Sequence, residues 1–229
     1  MNHTQPGEGH PSTMCLRPLD RIEALIQKAK KRDLETGQLN RILEQRARHL
    51  HSAIKLPREQ AAAALRDFVV RYIEHVPDFI QAIDDITREA GIDDRVEPLL
   101  NIACDYFLSP PELVSSHSQL VAMLDESYLA HRLLEEVNDR FIAYCGIPLA
   151  PMDLTRANVI AHELIGEPFA NELDQAVLFS AELLLNEYSF NSKNFQRYVA
   201  QHRDRGWSEE LRRWPCLAAD LAIDLRFSS

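Results

Sequence analysis

The sequence predicts an all-α protein, a bundle of about eight to ten mostly antiparallel helices. Three observations lead there. Glycine is scarce, with 7 in 229 residues, about half the usual share, whereas strands joined by tight turns need it. Apolar residues recur at three- and four-residue spacing along most of the chain. Prolines, glycines and capping residues divide these stretches at helix-length intervals.

The elements follow in order. Residues 1–15 are polar, carry no apolar stretch behind a basic start, and read as a disordered tail. A first helix is expected over Leu19–Arg32, with Ile22, Leu25, Ile26 and Ala29 as its stripe. A second is expected over Gln38–Lys55, through Leu39, Ile42, Leu43, Leu50 and Ile54. Pro57 suits the first turn of a third helix, where its missing N–H costs nothing. Pro77 should kink or break that helix, and Gly91 should close it. Asp94 with Glu97 reads as the start of a fourth, stopped by Ser109-Pro110-Pro111.

Ser116 with Gln119 resembles a capping box opening a helix that runs to Cys145, about 45 Å long, before Gly146. Asp153 is expected to cap a short helix ending near Gly166, and Asn171 to cap the next, with Leu173, Val177, Leu184 and Tyr188 on one face. Asn191 or Ser192 should begin another that stops at Gly206, and Ser208 a last one. Leu221, Ile223, Leu225 and Phe227 alternate like a strand, but a lone strand lacks a partner, so helix is expected here too. The loop at 109–115 divides a module over 16–108 from one over 116–229, unless both share one core.

Composition excludes several classes. No run approaches the length of a membrane span. Cys15, Cys104, Cys145 and Cys216 are scattered without CxxC spacing, so no zinc ribbon is indicated and reduced thiols in a cytoplasm are expected. The net charge of -10 is unevenly spread. Residues 16–60 carry 11 basic and 6 acidic side chains, whereas residues 61–190 carry 7 and 23. Such an acidic body repels nucleic acid and anionic lipid. A protein partner or a homo-oligomer is the expected kind of contact. Lys28, Lys30, Lys31, Arg32, Arg41, Arg46 and Arg48 form its candidate basic surface, with a solvated helix face as the plainer reading.

One constellation carries chemical interest. On the helix to Cys145, Leu120, Met123, Leu124, Leu134, Val137, Phe141 and Ile142 share a broad face, and His131, Glu135 and Asn138 fall inside the same arc. Burying such groups unpaired is costly. They therefore read as a buried hydrogen-bond network in which Glu135 meets His131, Arg132 or a neighbouring helix, as a polar cluster at an interface, or as a metal or acid/base site. The metal version recruits His131, Glu135, His162 and Glu187 from facing helices to a divalent transition metal. Against it, no histidine follows an acid by three residues, and Gly166 stands where a zincin motif beginning at His162 needs its second histidine. Gly-rich phosphate loops and the GxSxG nucleophile motif are absent from the sequence. Cys145 near a helix C-terminus is poorly placed as a thiolate. The function expected is thus a non-catalytic, cytoplasmic interaction or regulatory protein with no cofactor, and the alternative is a metal-dependent helical-bundle enzyme.

Overall fold

Two helices, α1 (Leu19–Thr36) and α2 (Gln38–Arg46), are separated by Gly37 alone, whose φ of 60° is left-handed. A glycine meets that requirement without strain. Asp33 ties the corner from inside: its carbonyl accepts the Gly37 N–H at 2.7 Å and its carboxylate the Leu39 N–H at 2.9 Å. This computed structural model describes residues 18–112, 120–150, 154–184, 193–205 and 223–225.

The second helix is much shorter than expected. After α2 the chain turns into a two-residue strand β1 (Ile54–Lys55), which pairs antiparallel with β2 (Asp224–Leu225), Ile54 opposite Leu225. Both strands were expected to be helical. The expectation fails because each supplies the partner the other needs: the alternation around Leu225 was visible, but its partner lies across most of the chain length. Pro57 likewise lies outside helix. The third helix, α3 (Ala61–Ala90), begins four residues later, after Gln60 in a left-handed conformation at φ 66°.

Pro77 lies inside α3 without ending it, and Gly91 closes the helix at φ 63°. α4 (Asp93–Leu108) follows with Ile92 at its cap and no side-chain cap bond, so the expected Asp94 capping box does not form. The helix stops at Ser109 as expected. α5 (Leu120–Cys145), α6 (Thr155–Ile165), α7 (Phe169–Leu184) and α8 (Lys193–Arg205) complete eight helices among the described residues. Gly146 and Gly166 follow α5 and α6 with φ of 69° and 87°. α7 starts right after Pro168, so Asn171 stands within its first turn rather than at its cap. The expected caps at Ser116, Asp153 and Asn191 or Ser192, and the helix from Ser208, lie outside the described residues.

α5 is the central element and packs against α1, α3, α4, α6 and α7. Fifteen of its 26 residues are buried, from Leu120 to Phe141, so it is surrounded rather than apolar on one face. That is the pattern of a core helix. Ile142, expected on the apolar face, is instead 44% exposed, whereas the adjacent Phe141 is buried. One continuous apolar cluster runs from Ile22 in α1 through Tyr72, Leu129 and Leu164 to Ala181 in α7, on both sides of residues 109–115. No helix among the described residues is long and apolar enough to cross a membrane.

Candidate functional site

The polar residues of α5 do not converge. His131 is completely buried and donates its Nε2 proton to the Tyr72 carbonyl of α3 at 2.8 Å. A carbonyl only accepts, which fixes the proton on Nε2 and leaves Nδ1 as an acceptor with no donor among the described residues. The His131 ring packs against Tyr72, 4.4 Å between centroids, and edge-on to Phe79 at 5.6 Å. Burial in this apolar setting lowers the His131 pKa to about 4, against the opposing effect of its bond to Tyr72.

Asn138, two turns on, turns to the loop after α5, where its Oδ1 accepts the Ala150 N–H at 3.0 Å. Glu135 points a third way, toward α6. Its Oε1 accepts from Thr155 Oγ1 at 2.6 Å, and its Oε2 from Asn158 Nδ2 at 2.6 Å and Arg132 Nη1 at 2.7 Å. Arg132 forks, since its Nε also donates to Asp174 of α7 at 3.0 Å. Tyr128 donates to the same Asp174 oxygen at 2.9 Å. Tyr72 completes the network from below by donating to Asn158 Oδ1 at 2.6 Å.

These groups form the floor of a cleft of about 390 Å³ between α5, α6 and α7, lined also by Asp139, Val159, His162 and Glu163. Tyr128, Arg132, Glu135 and Asp139 are spaced by four, three and four residues, which places them in one row along α5. His162 lies beside the first turns of α7, 3.1 Å from Asn171 Oδ1 and 3.6 Å from Asp174 Oδ2.

The electrostatics are one-sided. One guanidinium, Arg132, faces four carboxylates: Glu135, Asp139, Glu163 and Asp174. Burial works against the charge on Arg132, but its bonds to Asp174 and Glu135 outweigh that and hold it more firmly protonated than usual. Tyr128 is driven the same way, its pKa raised by burial and by the charge of Asp174. Asp139, at the exposed rim, has its pKa raised by partial burial and then by the charges of Glu135 and Glu136, with Arg132 opposing. Arg132 is thus spent on the floor; at the rim Glu163 Oε1 accepts the His51 N–H at 2.8 Å, and neither Asp139 nor Glu163 forms an ion pair among the described residues.

Of the residues singled out for a metal, His131 and Glu135 face different helices, His162 lines the same cleft as Glu135, and Glu187 lies outside the described residues. Among the described residues no group of three or more His, Cys, Asp or Glu is arranged to hold a metal ion. Cys145 is half-buried, and burial lifts its thiol to about 11.

The basic segment is divided in its duties. Lys30 forms an ion pair with Glu74 of α3, and Arg41 donates to the Thr36 and Gly37 carbonyls. Arg46 lies against Gly166, its Nη1 2.6 Å from where a β-carbon would stand; that flexible end can shift, and it is the φ of 87° that favours the glycine. Lys28, Lys31, Arg32 and Arg48 are exposed.

Sequence reasoning located Glu135 and His162 but passed over Tyr128, Asp139, Thr155 and Asp174. The row on α5 was readable from its spacing. Asp174 carried no signal, because its partners lie more than forty residues away. Comparisons of the chain with family models, curated proteins and solved structures find no match.

Proposed function

We propose that this chain is a non-catalytic helical interaction protein whose cleft between α5, α6 and α7 receives a basic side chain of a partner. The observation that carries this reading is the charge balance of the cleft, one committed guanidinium among four carboxylates. A cation entering from outside meets Asp139 and Glu163 first, and the Tyr128 and Val159 side chains offer apolar flanks to its aliphatic stem. The floor groups already hold one another, so a guest meets a preformed shape and little ordering cost. The same interlocking supports a binding role over a catalytic one, since Arg132, Tyr128 and Glu135 are each engaged in holding the helices together.

Agmatine, a guanidinium joined to an ammonium by a four-carbon chain, is the direct test. Calorimetric titration at low salt should show saturable binding with a Kd of about 1 mM, which is about 4 kcal/mol. Affinity should fall as salt rises, because the rim acids are exposed to screening. Absence of saturable binding to the folded protein would overturn the reading.

A further inference from the structure

The cleft has a complement on the same molecule. On α1, Lys28, Lys31 and Arg32 stand three and four residues apart, which puts them on adjoining positions of one helix face. All three are exposed, and none has an ion-pair partner among the described residues. Their neighbours are accounted for differently: Lys30 is paired with Glu74, and Asp33 is turned inward to the α1–α2 corner and Arg66. The α1 face is therefore a row of unanswered cations on a rigid helix.

Resting on the reading of the cleft above, we propose that its partner is a second copy of this chain, which inserts the Lys28, Lys31 and Arg32 face of α1 into the acid-lined cleft between α5, α6 and α7. The two surfaces are opposite in sign, and the division extends beyond them. Residues 16–60 have five more basic than acidic side chains, and residues 61–190 sixteen more acidic than basic, from 11 against 6 and 7 against 23. Long-range attraction between copies thus orients α1 of one toward the body of the other before contact. A lysine or arginine reaches into a cleft on a flexible stem while its helix stays on the surface, so a cleft of about 390 Å³ accepts one head group from the row, and its neighbours meet Asp139 and Glu163 at the rim. The contact joins unlike surfaces, so it either closes reciprocally between two copies or continues from copy to copy.

The test is charge reversal read by sedimentation velocity, with agmatine titration alongside. Wild-type protein at about 50 mM salt should gain mass with concentration and return to monomer at about 500 mM, where the Debye length falls below about 5 Å. The triple variant Lys28→Glu, Lys31→Glu, Arg32→Glu should be monomeric at low salt while binding agmatine as wild type does. Asp139→Lys with Glu163→Lys should also be monomeric. Mixing the two should restore association, because each then meets an opposite charge. If the double variant is misfolded by circular dichroism, Asp139→Lys alone takes its place in the mixture. A wild-type monomer at low salt that still binds agmatine overturns the self-pairing and leaves the cleft reading standing. Association that survives the triple reversal overturns it equally. Loss of agmatine binding by wild type removes both.

Discussion

His131 and Glu135 stand one turn apart on α5, yet they inhabit opposite environments. The His131 side is sealed between α5 and α3, packed by aromatic rings and served by one hydrogen bond. The Glu135 side opens between α6 and α7 onto a cleft in which carboxylates, a guanidinium, hydroxyls and amides share donors and acceptors. The first holds its charge at zero by burial. The second keeps its charges by pairing them and leaves an excess of negative sign at the rim. A shared helix and similar residue types thus produce a sealed structural joint on one side and an open, acid-lined cleft on the other, and the neighbouring helices decide which.

The largest effect should come from the sealed side. His131→Ala removes packing against two rings and leaves the Tyr72 carbonyl without its donor, a loss of about 3–4 kcal/mol in urea unfolding at pH 7. The same variant carries a pH test. The folded pKa of His131, about 4, lies below the unfolded value of 6.5. Between those values the unfolded state binds more protons, so this contribution weakens as pH falls. The cost of His131→Ala should therefore shrink by about 2 kcal/mol between pH 7 and pH 5. Asp125 and Glu126, raised by burial to about 7 and about 8, titrate with the opposite sign, weakening stability as pH rises. They are present in both proteins and cancel in the comparison. A cost that is the same at both pH values would show that His131 is not held neutral.

On the open side, Arg132→Ala leaves Glu135 and Asp174 facing each other without their cation. A loss of about 2–3 kcal/mol is expected, below that of a fully enclosed pair because the side chains are partly exposed. A double-mutant cycle with Asp174→Ala should return a coupling of about 1–2 kcal/mol. Independent effects would mean that the fork does not hold α5 to α7.

Tyr72 joins the two regions, its ring against His131 and its hydroxyl on Asn158. Tyr72→Phe keeps the ring and deletes one buried hydrogen bond, so about 1 kcal/mol should be lost. The smallest effect on stability belongs to Asp139→Asn at the rim, within about 0.5 kcal/mol of wild type. Agmatine affinity should nevertheless fall about fivefold, which is about 1 kcal/mol of binding. A rim residue that moved stability more than affinity would reverse the assignment of roles.

Much of the fold was legible because helices announce themselves locally. The stripe Ile22, Ile26 and Ala29, the stops at Gly91, Gly146 and Gly166, and the break after Leu108 all follow from residues close in sequence. The Ile54–Leu225 pairing was not legible, since strand signals need a partner and this one lies far along the chain. The polar arc on α5 was visible as a cost awaiting an explanation. Its division was not, because the directions of His131, Glu135 and Asn138 depend on Tyr72, Asn158 and Ala150, each contributed by a separate segment.

Amide chemical-shift mapping of an agmatine titration tests directly whether the cleft is the proposed cation site. The cleft reading predicts saturable shifts concentrated at residues 128–139 of α5, residues 155–163 of α6 and around Asp174, with one common Kd. Shifts distributed over other exposed acids, such as Asp78, Asp85, Asp93 and Glu97, without a shared saturation point would contradict it.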